Sequence, residues 1–232
     1  MGKISKKRVL ATVLLVILSI SGVAWFTWKT GRVFVGLIAA SPAGVEVSKE
    51  KVDSKILDLP EIAVWVCQAG VYQDRKNVAR AIDALKLKGQ QARIIQEDPN
   101  IIALAAFPTK EQAVIQSKAL AEQGIEIWIR EEIYPALHFR ISGKHKEEII
   151  LLLEQTNALL NGKPPETVLD EMAVDSSEFF AEKYPEDFDN LKNTLYNVLN
   201  ANIGRNSEIY GRAILDLYLE YRATTKKYYL ES

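Results

Sequence analysis

Trp65-Val66-Cys67-Gln68-Ala69-Gly70-Val71-Tyr72 falls, at an offset of 35 residues, on Asn100-Ile101-Ile102-Ala103-Leu104-Ala105-Ala106-Phe107. The same offset lays Asn77 on Gln112, Leu85 on Leu120 and Gly89 on Gly124. Each copy reads as a strand, a turn, a helix of about three turns with apolar residues at helical spacing, and a closing glycine. Gly89 and Gly124 suit the left-handed position just after a helix. Thr109 suits an N-cap, with Gln112 completing a capping box. A further strand follows each glycine: Gln91–Gln96 after the first and Ile125–Arg130 after the second. Asp98-Pro99-Asn100 reads as the turn between the copies. The predicted order is βαββαβ, a split-βαβ fold of the α+β class. It has a four-stranded antiparallel sheet with both helices on one face. The other face is open unless a ligand or a further segment covers it.

Strand alternation assigns residues to the two faces. Trp65, Cys67, Ala69 and Val71 point to the helices, and Val66, Gln68, Gly70 and Tyr72 point away. Ala92 and Ile94 point in and Arg93 out. Ile125, Ile127 and Ile129 point in, and Glu126, Trp128 and Arg130 out. The open face thus collects Gln68, Gly70, Tyr72, Arg93, Trp128 and Arg130 as candidate binding residues. Aromatic rings beside amide and guanidinium donors suit a carbohydrate, whose pyranose offers an apolar C–H face and a rim of hydroxyls. The competing reading packs Trp128 on Tyr72 as an ordinary cross-strand pair.

Residues 61–134 resemble a SPOR domain, the sporulation-related repeat of bacterial envelope proteins. The family's first strand is similar to Trp65-Val66-Cys67-Gln68-Ala69-Gly70-Val71-Tyr72. Its helix is similar to Asn77-Val78…Leu85…Gly89, and again to Gln112-Ala113…Leu120…Gly124. The resemblance implies a βαββαβ domain that binds peptidoglycan glycan strands, especially those lacking stem peptides, in cell division or sporulation. It places the glycan site on the open sheet face and includes Gln68. The third strand departs from the family pattern. Ile101 stands where an arginine is usual and Ala105 where a glycine is usual. A polar donor is lost and bulk is added on a face that would carry Ile101, Ala103 and Ala105. That change suits a face that binds protein, so an envelope scaffold recruiting a partner protein is the alternative function.

Outward from the repeat, the charge is uneven. The chain has 232 residues, 29 basic and 30 acidic. No acidic residue precedes Glu46, whereas Lys3, Lys6, Lys7, Arg8, Lys29 and Arg32 do. Residues 9–28 carry no charge, and twenty residues at about 1.5 Å each cross a hydrocarbon core of roughly 30 Å. Four cations precede the stretch and Trp25, Phe26 and Trp28 close it. That pattern predicts a single transmembrane helix with a cytoplasmic N-terminus, the remaining domains lying outside the cell membrane. A cleaved signal peptide ending near Ser41-Pro42-Ala43 and a buried core helix are the competing readings. The apolar run is longer than a signal core of roughly 7–15 residues.

The predicted organisation is a basic segment at 1–8, a transmembrane helix at 9–28, a juxtamembrane tether at 29–59, the SPOR-like domain at 60–135 and a helical domain at 136–232. Residues 60–143 balance at 10 basic and 10 acidic, whereas 144–232 hold 10 basic and 16 acidic. The tail reads as a short strand at 136–141 and four helices at 145–160, 166–183, 187–202 and 207–229, forming a small antiparallel bundle. Phe179, Phe180, Tyr184, Phe188 and Tyr196 are expected in its core, and the excess acidity on a solvated face. The C-terminal helices are the expected contact for an envelope protein partner.

Several function classes are disfavoured. An acidic body lacks the basic footprint of nucleic-acid binding. One cysteine and two histidines leave no disulfide, no zinc cluster and no expected metal or cofactor. Glu131-Glu132, Glu147-Glu148 and Glu186-Asp187 are adjacent, so their carboxylates diverge rather than face across a cleft. His138 is expected to pack in a strand and His145 to open a helix. No catalytic residue is predicted, so the expected partners are glycan strands, the bilayer through 9–28, and a protein.

Overall fold

The computed structural model describes residues 54–172, 186–203 and 207–229. The predicted transmembrane helix at 9–28 lies outside them, as do the basic segment at 1–8 and residues 29–53 of the tether. Among the described residues no helix is long and apolar enough to cross a membrane. Val52–Ser232 forms one compact unit. Its strands are β1 (Ser54–Leu59), β2 (Ile62–Tyr72), β3 (Arg93–Glu97), β4 (Asn100–Phe107), β5 (Trp128–Tyr134) and β6 (Leu137–Ser142). Its described helices are α1 (Arg75–Leu87), α2 (Lys110–Glu122), α3 (Lys146–Leu160), α4 (Pro165–Met172), α5 (Glu186–Ile203) and α6 (Ser207–Tyr229). The class is α+β, with two antiparallel sheets ordered β3-β4-β2-β5 and β1-β6.

The duplication seen in sequence is built twice in the backbone. Asp74 caps α1 by accepting from the Lys76 N–H, and Thr109 caps α2 by accepting from the Gln112 N–H. Both helices close through a glycine at positive φ, 79° at Gly89 and 70° at Gly124. The next residue reaches back in each case: Gln90 N–H donates to Leu85 O and Ile125 N–H to Leu120 O. The ladders end at matched positions. β5 leaves β2 at the Trp128–Gln68 pair, and β3 leaves β4 at the Arg93–Ala103 pair. Each pair is the other shifted by the repeat offset.

Strict alternation fails at one place in each copy. The β2–β4 register shifts on both sides of Gln68, so that Ala69 and Leu104 are each passed over. An extra residue turns everything beyond it to the opposite face. Directly paired residues share a face, and Ile101 faces the C-terminal helices, so its partner Val71 does too. Gly70 and Tyr72 therefore face α1 and α2, not the predicted open face. Ala105 is likewise on the α2 side, clustered with Cys67 and Ala113.

The second face of the sheet is not open. Ile62, Val64, Val66, Ile101 and Ala103 form one buried cluster with Ile214, Leu215, Leu217, Tyr218 and Tyr221 of α6 and with side chains of α3 and α5. β4 is consequently buried along its whole length, as a strand sandwiched between two helical layers must be. The tail is therefore part of the sheet domain's core rather than a separate bundle. Residues 54–59, expected in the tether, form β1 and pair with β6 from Ser54–Ser142 to Leu59–Leu137. Their alternation buries Leu57 and Leu59. Of the aromatics expected in the tail core, Phe188 is buried, Tyr196 is 48% exposed, and Phe179, Phe180 and Tyr184 lie outside the described residues. His138 is exposed and pairs with Asp58 across the ribbon instead of packing.

Two contacts seat α6. At its far end the Tyr221 hydroxyl accepts from Asn157 Nδ2 at 3.2 Å, and the Tyr221 ring meets Tyr134 edge-on at 5.9 Å. At its start, a Cβ placed on Gly211 would stand 2.2 Å from Phe107 Cζ. Phe107 is itself only 1% exposed and has little room to yield. An exposed helical glycine gains up to about 1 kcal/mol on becoming alanine. At Gly211 the sign reverses: Gly211→Ala is expected to cost about 1–3 kcal/mol in overpacking. The Phe107→Leu background should shrink that penalty. Urea denaturation of the four proteins measures both effects.

Candidate functional site

Where β2 outruns β5, the sheet edge opens into a groove of about 670 Å³. Gln68, Ala69, Gly70, Val71 and Tyr72 form one wall, and Ala81, Ala84, Leu85 and Lys88 of α1 the second. Gly124, Ile125, Glu126 and Trp128, leading into β5, form the third. The groove straddles the edge. Gln68 and Trp128 reach it from the α6 side of the sheet, and Gly70 and Tyr72 from the helix side. Its walls are mostly small or apolar side chains.

Each polar or aromatic group there has a local cause. A Cβ on Gly70 would come within 2.6 Å of the Tyr72 ring, so the glycine lets the ring lie back against its own strand. Asn100, only 5% exposed, donates from Nδ2 to Tyr72 O at 3.2 Å and fixes the strand end. Lys88 Nζ donates to Gly124 O at 2.7 Å, tying the end of α1 to the turn after α2. Trp128 is 50% exposed. The Gln68 amide has no hydrogen-bond partner among the described residues.

Four of the six predicted site residues thus meet in one groove: Gln68, Gly70, Tyr72 and Trp128. The other two do not. Arg93 sits on the far edge strand and is held by Asp216 of α6, Nε to Oδ1 at 2.7 Å and Nη2 to Oδ2 at 3.2 Å. It lines a separate cleft between α5 and α6 of about 930 Å³. Arg130 donates instead to Glu132, two residues along its own strand, Nε to Oε1 at 2.7 Å. Both guanidiniums have protein carboxylates as partners. Sequence reading missed the α1 wall, because Ala81 and Ala84 read as ordinary helix positions. The one available signal was their smallness beside the Gly70-x-Tyr72 spacing.

Little in the site is poised for bond-breaking chemistry. Cys67 lies just behind the groove, fully buried, its Sγ 3.7 Å from Ala113 O. Burial pushes its thiol up to about 12, far from a nucleophilic thiolate at neutral pH. Burial likewise raises the phenols of Tyr210, Tyr218 and Tyr221 to about 12. Among the described residues no group of three or more His, Cys, Asp or Glu side chains is placed to hold a metal ion.

Three outcomes are expected. The Cys67 thiol should resist a maleimide at pH 8–9 in the folded protein and react at once in guanidinium. Its pKa rises on folding from the usual ~8.5. The thiol's contribution to stability is therefore complete below that value and lost as pH climbs toward about 12. Cys67→Ala should flatten that alkaline decline, read as denaturation midpoint against pH. Gly70→Ala should displace the Tyr72 ring into the groove, seen as a changed near-ultraviolet dichroism with the unfolding midpoint nearly unchanged.

No known protein family, curated protein or solved structure matches this chain.

Proposed function

We propose that the chain is a non-enzymatic scaffold of the bacterial cell envelope. It is anchored by the apolar stretch at 9–28 and recruits a protein partner through the groove at the end of β2. The observation that carries this reading is the fate of the sheet face. The surface that a SPOR-like domain offers to glycan is occupied by α6, and five α6 side chains there are at most 1% exposed. Burying each is worth about 1.5–3 kcal/mol, so α6 is not a cover that lifts for a sugar. The groove at the end of β2 is walled by Ala69, Gly70, Ala81, Ala84, Leu85 and Ile125. Apolar walls with few hydrogen-bond donors suit side chains of another protein better than a hydroxyl-rich strand.

A specific observation keeps glycan binding as a second reading. Trp128 is half exposed beside the unpartnered Gln68 amide, with Tyr72 in the same groove, and a ring next to an amide is a sugar platform. The SPOR resemblance supports the same ligand. The two readings part on one experiment. A photo-crosslinking residue replaces Val71, which is 48% exposed on the groove wall, in the full chain expressed in a bacterial envelope. A discrete protein adduct that survives muramidase and disappears with Leu85→Asp is expected. Adducts that muramidase removes, together with Trp128-dependent sedimentation on amidase-treated sacculi, would establish the glycan reading and reject the scaffold.

A further inference from the structure

The two copies of the repeat make two grooves, and the second is already filled. At the end of β4 the first turns of α6 pass from the flank of α2 across the sheet edge. Ser207 Oγ donates to Gln116 Oε1 at 3.1 Å, and Glu208 Oε1 accepts from Gln90 Nε2 at 3.3 Å. Gly211 lies against the Phe107 ring, and Asp216 takes Arg93. Exchanging the two copies at the repeat offset, back for residues of the second and forward for residues of the first, Gln116 becomes Ala81, Gln90 becomes Ile125, Phe107 becomes Tyr72 and Arg93 becomes Trp128. All four line the open groove. The groove left open among the described residues is the backbone counterpart of a seat that this chain fills with a helix.

We propose that the open groove receives an amphipathic helix of a partner protein, laid across the sheet edge as α6 is laid across the other. This rests on the scaffold reading above and specifies the partner's chemistry. Glu208 of α6 lies near Gln123, since Gln90 Nε2 also donates to Gln123 Oε1 at 3.1 Å. The counterpart of Gln123 is Lys88. An acidic residue in the first turn of the incoming helix therefore faces an ammonium, and a carboxylate at a helix N-terminus is further stabilised by the helix dipole. Lys88 spends one donor on Gly124 O and has two more. Glu126 also lines the groove but is exposed, as is its counterpart Gln91. Three residues after the acid, a glycine meets Tyr72, as Gly211 meets Phe107. Eight residues after it, an apolar side chain meets Trp128, where Asp216 meets Arg93. Those positions share one helical face.

An added β-strand fits less well. The register shift at Ala69 breaks the regular ladder that strand addition requires.

The test uses residues 52–232, which form one compact unit. The probe is a fluorescein-labelled peptide of residues 207–221 carrying Asp216→Leu. Anisotropy should report saturable binding, weakened at least about tenfold by Trp128→Ala and similarly by Lys88→Glu. A peptide that also carries Glu208→Lys should regain affinity for the Lys88→Glu protein. Both substituted side chains are exposed, and circular dichroism verifies that the variants fold. No saturable binding, or binding indifferent to both variants, overturns the proposal; in the second case the peptide has only displaced α6. If an Ile214→Pro peptide binds equally well and still needs Trp128, the helix is refuted while recruitment of a protein segment stands. If neither peptide binds but denuded glycan strands do, helix and scaffold fail together. Trp128-dependent self-association in sedimentation, without peptide, makes the occupant a second copy and overturns the partner.

Discussion

Helix α6 reaches the sheet because residue 211 has no side chain. With a methyl group there, the Phe107 ring and the helix backbone would compete for one space. With hydrogen, the helix settles and brings five large side chains into the core that it shares with the sheet and with α3 and α5, all at most 1% exposed. Their burial is worth on the order of 10 kcal/mol in total, comparable with the whole net stability of a domain. The bidentate Arg93–Asp216 pair fixes where along the sheet the helix lies. Being partly exposed, it serves register more than stability. The buried β4, the large cluster that joins sheet and tail, and the loss of an open face all follow from this approach.

The duplicated backbone shows how two matched scaffolds diverge through a few side chains. At one ladder end Gln68 faces Trp128, and at the other Ala103 faces Arg93. Alanine and a guanidinium invite a helix with a carboxylate. An amide and an indole leave the first edge neutral and half exposed. Gly70 against Ala105 adds to the difference, because only the glycine lets its strand's aromatic ring fold back beside it.

The repeat was legible because helix ends, glycines and strand lengths are local features, and two copies at one spacing reinforce each other. The α+β class and the antiparallel four-stranded sheet followed from it. In β2 the face assignment held through Ala69 and failed beyond. A period of two carries no mark of an extra residue, so the bulge at Ala69 turned Gly70 and Tyr72 over unannounced. Strand β1 was missed for a different reason. Ser-Lys-Ile-Leu-Asp-Leu alternates only weakly, and its partner β6 lies far along the chain, where no local pattern points back to it. Ile214, Leu217, Tyr218 and Tyr221 stand at helical spacing in the sequence, a pattern by which α6 must bury one side. The pattern could not announce that the sheet, rather than neighbouring helices alone, is what it buries against. Arg93 read as a free donor because its carboxylate partner depends on tertiary placement, whereas Glu132, two residues on from Arg130, shares its face by simple alternation and was overlooked.

The β1–β6 ribbon has a consequence for the order of events during synthesis. Ser54 emerges first and pairs with Ser142, so β1 waits unpaired while the whole repeat is made. The sheet face waits longer still, until the last helix has been added. Long-range closures of this kind slow folding and leave apolar surface exposed meanwhile. A chain that stops short of α6 presents a bare, sticky sheet. Synthesis of α6 is therefore the step that closes the sheet face, and chains lacking it expose the apolar surface that it buries.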